Sequence, residues 1–196
     1  MQLTYIIQKS RRRTISVSIL QDNRVLVKAP YGTSERAVRE FLLSKKEWIT
    51  RQLEKQSREV EQAEALGFLS ADEIRLMKRQ ARKVIPQRVA YWAEKIGVTY
   101  GRISIRLQSS RWGSCSANGN LNFNCLLVLV PQEILDSVVV HELCHRRHMN
   151  HSKAFYAEID RVFPDYKRCN TWLKDNGGVY MKRASCCHEK GQAEDV

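Results

Sequence analysis

The segment Pro131–His145 is apolar on almost every side, yet it carries His141, Glu142 and His145. Ile134, Leu135, Val138, Val139, Val140 and Leu143 leave no continuous polar face, which marks a helix buried at the centre of a fold. Pro131 suits a first helical turn, and Glu133 and Asp136 lie near the positive end of the helix. Two histidines and a glutamate are costly in such surroundings unless something pairs with them. Unpartnered core histidines are therefore the weaker reading.

Histidines four apart on a helix sit about 40° from each other, so the rings of His141 and His145 can reach one metal ion. Glu142, one position round, can touch a water there without ligating the ion. This is the HExxH arrangement of zinc hydrolases, with protein nitrogens, an open position and a carboxylate base. The third ligand is a choice between His148 and His151. On a continued helix His148 would lie about 10.5 Å along the axis from His141. That is too far for a tetrahedral centre with bonds of about 2.0–2.1 Å. A ligand arriving after a chain reversal is easier to place, and Met149-Asn150 offers one if Asn150 takes the left-handed conformation that ends helices. The expected ligands are His141, His145 and His151, with Glu142 catalytic and His148 in a supporting or surface position.

The chain has 196 residues and ample length for a real core. No stretch approaches the length of a membrane span; the longest apolar run is Cys125–Val130. No apolar segment precedes the Ser10–Arg13 cluster as in a secretory signal, so the expected compartment is the cytoplasm and no membrane partner is expected. Six scattered cysteines without a CxxC pair fit reduced thiols there. Cys186-Cys187-His188 is read as a reactive tail rather than a second metal site. The net charge of +12 favours an anionic partner such as nucleic acid, a nucleotide or acidic polypeptide. Cations on amphipathic helices are often just a solvated face, and no nucleic-acid-binding motif accompanies these.

The order of elements predicts an α+β fold. Residues 1–33 read as a β meander, with Ile15, Val17 and Ile19 alternating and a turn at Gln21-Asp22-Asn23. Residues 34–66 read as one connecting helix, polar over Glu54–Ala65 and broken at Gly67. Ser70 is the expected cap of a helix with a stripe from Ile74 to Ile96, kinked at Pro86. Strands at Ile103–Leu107 and Leu121–Val130, with an Asn118-Gly119 hairpin, should form a small antiparallel sheet against the buried helix. Ser152 caps the next helix, Pro164 ends it, and a last helix from Asp165 stops at Gly177-Gly178. A single domain over 1–178, with its core at 70–178, then leaves a tail at 179–196. An exposed strand beside the buried helix can take an extended peptide, with Arg111 and Trp112 as candidate substrate-binding residues at its lip.

The chain resembles the YgjP-like metal-dependent hydrolases, which are related to the SprT zinc proteases. The resemblance runs from Arg11-Arg12-Arg13-Thr14-Ile15-Ser16-Val17 and Ala29-Pro30-Tyr31-Gly32 through Lys46-Glu47-Trp48-Ile49 and Ser110-Arg111-Trp112-Gly113-Ser114-Cys115. It is densest from Leu129-Val130-Pro131 through the histidine stretch to His151-Ser152-Lys153-Ala154-Phe155 and Pro164-Asp165-Tyr166. It implies a zincin-like core, Zn2+ on the three histidines, and Glu142 as general base. Peptide or protein is the implied substrate; a UTP pyrophosphatase activity attached to the family is the alternative. A zinc-stabilised, basic nucleic-acid-binding protein is the non-enzymatic alternative. The C-terminal CxxC ribbon of SprT proteins is missing here, and metzincins have Gly where His148 stands.

Overall fold

Polar residues dominate Glu54–Ala65, and it is within this stretch that the chain divides into two compact units, Met1–Glu61 and Gln62–Val196. A computed structural model describes residues 4–20 and 22–185.

In the first unit β1 (Tyr5–Ser10), β2 (Ser16–Ile19) and β3 (Val25–Pro30) form a sheet in the order β1-β3-β2. This is not the expected meander, because β1 runs parallel to β3 and only β2 pairs with it antiparallel. The reason lies in β3, whose Val25, Val27 and Ala29 are buried and take the centre of the sheet. Residues 11–15 need only cross two strand spacings, about 9.6 Å, well within the reach of five residues. Val25 and Val27 pack with Val38, Leu42 and Ile49 from two helices, α1 (Glu35–Ser44) and α2 (Lys46–Leu66). The single connecting helix expected over 34–66 is thus two. The Lys45 amide donates to Leu42 O (3.1 Å) and Ser44 Oγ to Phe41 O (2.7 Å), and these tight bonds turn the chain before α2 starts.

In the second unit, α3 (Ala71–Ile96) begins at Ser70, whose Oγ accepts from the Glu73 amide while Glu73 Oε2 accepts from the Ser70 amide. These reciprocal bonds satisfy two otherwise orphaned donors. The helix runs through Pro86 and ends at Gly97 (φ 73°). Ile74, Met77, Ala81, Ile85, Val89, Trp92 and Ile96 are its buried stripe, as the periodicity predicts. A second sheet repeats the order of the first: β4 (Ile103–Arg106), β6 (Leu121–Asn124) and β5 (Gly113–Cys115), with β4 parallel and β5 antiparallel to β6. The α+β class holds, and the sheets are mixed rather than antiparallel. The strand expected to reach Val130 stops at Asn124. The buried Asn124 side chain accepts from the Leu126 amide and starts a 3-10 turn over Cys125–Leu129.

The expected buried helix is α4 (Gln132–Cys144), packed against α3, β5 and two later helices, α5 (Lys153–Val162) and α6 (Tyr166–Arg183). Ser152 caps α5, its Oγ accepting from the Phe155 amide, and α6 starts at Asp165, as read from sequence, though without a capping bond from that side chain. Gly177-Gly178 does not end α6. The Trp112 indole lies against Gly177, where a Cβ would stand 3.0 Å from Cζ2, so this glycine serves a close contact within the helix. The tail therefore does not begin at 179: Val179 is buried, and Arg183 O accepts from the Leu69 amide (2.8 Å). Cys186, Cys187 and His188 lie outside the described residues. Among the described residues no helix is long and apolar enough to cross a membrane.

Asp136 is more than a helix-start charge. Both its oxygens accept from Arg88 of α3 at 2.6 Å, and the carboxylate is almost wholly buried. Removing one partner of such a pair strands the other in low dielectric. Asp136→Ala should lower unfolding free energy in urea titrations by about 2–4 kcal/mol, the buried-pair figure reduced for the partly wetted Arg88. A loss below about 1 kcal/mol would class the pair with surface ion pairs.

Candidate metal centre and catalytic cleft

The last turn of α4 carries His141, Glu142 and His145, and the chain then tightens. Amides of Arg146, Arg147 and His148 donate to Leu143 O, Cys144 O and Cys144 O at 2.9, 3.0 and 3.0 Å. The reversal to His151 does not use a left-handed Asn150: the one non-glycine residue with positive φ among those described is Asn23. Side chains pin the turn instead. Arg146 donates to Thr99 O (3.0 Å) and Ala117 O (3.1 Å), and Arg147 to Ile96 O (2.6 Å).

The turn delivers His151 to the other two rings. Ligand atoms of His141, His145 and His151 all lie within 4.8 Å of one another, and the Nε2 atoms of His141 and His151 are 3.1 Å apart. Two nitrogens bound tetrahedrally at about 2.0–2.1 Å from one ion would stand about 3.3 Å apart. His145 Nδ1 is 3.0 Å from His148 O, which can only accept, so Nδ1 carries the proton and Nε2 keeps its lone pair. His141 Nδ1 meets the Tyr166 hydroxyl at 2.7 Å, and in the tautomer whose Nδ1–H donates to that oxygen Nε2 keeps its lone pair for a metal. His148 thus supports the site through its backbone. The fully buried Phe155 ring packs on all three imidazoles, with centroids 5.0, 4.6 and 5.0 Å away.

Burial, with His145 and His151 nearby, pushes His141 down to about 4, so it is neutral at pH 7. His145 is lowered too, mainly by burial. Burial raises Glu142 to about 8, opposed by the positive charge of Arg111. Burial also raises Tyr166, which keeps its proton. These residues fit a divalent cation: neutral nitrogen donors oriented by partners, with a carboxyl group alongside.

A pocket of about 230 Å³ opens beside His141 and Glu142, with Arg111, Trp112, Val138 and Tyr166 among its walls. Gly113 brings the β5 backbone against the Glu142 carboxyl; a Cβ there would stand 2.6 Å from Oε1. Sequence reasoning placed Arg111 and Trp112 at this lip, and both line the pocket. It did not find Tyr166 as the partner of His141, Phe155 as the platform, or Gly113 as the spacer. A signal for Gly113 was present, a glycine inside a strand pattern, which marks close approach.

The sequence profile of the YgjP-like, metallopeptidase domain family matches residues 13–76 and 69–176. The chain belongs to this family. It is a metal-dependent hydrolase of the YgjP-like class, and peptides or proteins are the substrates that class implies. Among solved structures it is similar to the metallopeptidase zymogen abylysin of Pyrococcus abyssi, at 18% identity over 46% of this chain and 93% of that one, with a TM-score of 0.43. Jannalysin of Methanocaldococcus jannaschii, also a metallopeptidase zymogen, matches at 21% identity over 45% and 92%, with a TM-score of 0.42. No curated protein matches the chain significantly.

Gly113→Ala should push Glu142 out of line and cut kcat by about 10²-fold, as misplacement near 1 Å does, with metal stoichiometry unchanged. Steady-state kinetics with metal analysis checks both halves. Tyr166→Phe removes the hydroxyl at His141 Nδ1, and chelator competition should show metal affinity about 10- to 100-fold weaker. Unchanged affinity would make Tyr166 a packing residue only.

Proposed function

We propose that this YgjP-like protein is a zinc-dependent peptidase, with His141, His145 and His151 as ligands and Glu142 as general base. The observation that carries the reading is the 3.1 Å approach of the His141 and His151 Nε2 atoms while the Nδ1 atoms of His141 and His145 are engaged elsewhere. An all-imidazole set, with no further ligand in the cluster among the described residues, suits zinc in a catalytic rather than a structural role. When bound, the ion would supply Lewis acidity, acidifying water and polarising a carbonyl.

Glu142 then takes the proton of the attacking water and hands it to the leaving amide nitrogen. Gly113 sets where that carboxyl stands, and Tyr166 and His148 O hold the rings. β5 is an edge strand of its sheet, so an extended peptide can add to it and pass the carboxyl. Arg111 and Trp112 contact the substrate from the pocket wall.

The pocket offers one cationic side chain, Arg111, and no glycine-rich phosphate cradle, which weakens the UTP pyrophosphatase reading. The nucleic-acid-binding alternative rests on the +12 charge alone. Four free cysteines among the described residues support a reducing compartment, the cytoplasm.

Glu142→Gln should bind zinc at the wild-type stoichiometry and lose turnover by about 10²–10⁴-fold. His145→Ala should lose the metal and melt earlier, since metal binding is coupled to folding. Metal analysis, melting curves and a peptide screen check these together. Peptide cleavage that survives in Glu142→Gln would remove the glutamate from the mechanism.

A further inference from the structure

Arg111 stands on a loop that Asn124 holds, its Nδ2 donating to Gln108 O (2.8 Å) and Arg111 O (3.0 Å). Arginines 88, 147, 161 and 168 all meet carboxylates, whereas Arg111 enters no ion pair among the described residues. Among the described residues it is the one lysine or arginine on the wall of the pocket beside Glu142. Asn170, also on that wall, has a side-chain amide with no hydrogen-bond partner among the described residues. The Ser137 hydroxyl, by contrast, already donates to Ile134 O (2.7 Å). Trp112, Val138 and Leu173 supply apolar wall between these polar points.

At about 230 Å³ the pocket is smaller than the roughly 300–1,000 Å³ of sites that enclose whole ligands, and it suits a single residue. An apolar wall with one unpaired guanidinium and a free amide matches an apolar stem ending in a carboxylate. A guanidinium fork binds a carboxylate through two parallel hydrogen bonds. We propose that this pocket selects a substrate carboxylate on a residue flanking the scissile bond, from an acidic side chain or the free C-terminus. The inference rests on the peptidase reading and adds its substrate class.

Two peptide series test it. One carries Glu, Gln or Lys at either flank of the scissile bond with an amidated end; the other places the flanking residue last, as free acid or amide. Wild type should favour Glu over Gln, or acid over amide, by about 10- to 100-fold in kcat/KM, the range of a charge-assisted hydrogen bond. Which series shows the preference identifies the source of the carboxylate. The preference should vanish in Arg111→Gln and turn towards Lys in Arg111→Glu. Calorimetric titration of the same peptides into zinc-loaded Glu142→Gln protein reads the selectivity without catalysis. Equal rates and equal binding for charged and neutral peptides would overturn the proposal. So would a preference that persists in Arg111→Gln, or a loss in that variant equal for every substrate, as a general transition-state role would give. Charge-selective binding without cleavage would instead uphold the pocket and sink the peptidase reading.

Discussion

Polar side chains on an otherwise apolar buried helix are the condition to which the rest of the second unit answers. α4 places Val138, Val139, Val140, Leu143 and Cys144 in the core, so Glu142 and His145 are taken out of water with them and His141 is half-buried. A buried polar group costs stability unless it is bonded. Each ring therefore has a named partner for its Nδ1, from Tyr166 on α6 or the backbone of His148. Phe155, from α5, closes the space between the three rings. The helices around α4 are thus selected by what the site needs as well as by apolar area.

The same condition explains the arginines at the end of the helix. Arg146 and Arg147 donate to carbonyls at Thr99, Ala117 and Ile96, which follow or end other elements. They hold the turn that a left-handed asparagine was expected to make, and Arg88 with Asp136 fixes the start of the helix against α3. A cationic stretch that reads as solvated surface is in part a set of staples between backbone segments. That lowers how much of the +12 charge can be assigned to a partner.

The three-histidine cluster was legible because helix rise and the cost of burying polar groups are local arguments, and both point to His141, His145 and His151 as side chains that converge. Caps at Ser70 and Ser152, and the helix start at Asp165, were legible for the same reason. Strand order was not. Alternation in Ile15-Val17-Ile19 says that a strand exists and which face it buries, but not which neighbour it pairs with. In both sheets the last strand, whose inward residues are buried on pairing, takes the middle. Gly177 was misread because glycine serves both helix ends and close contacts, and only the Trp112 ring across from it decides between them. Tyr166 and Asn124 act over long sequence separations, where periodicity carries no information.

Electrostatics then connect the buried helix to the pocket. With His141 held neutral and burial favouring the protonated form of Glu142, the interior part of the site carries little charge of its own near pH 7. Arg111, on the exposed lip, is the nearby permanent charge, and it acts against burial by favouring the carboxylate of Glu142. A residue in that position has two effects: it eases ionisation of Glu142 and presents to whatever enters a cation that makes no ion pair among the described residues. Replacing it with lysine would keep the first effect in part and lose the planar fork required for the second. In the proposed reading, the charge that tunes Glu142 and the charge that would meet a substrate carboxylate belong to one side chain, and the two roles separate only by geometry.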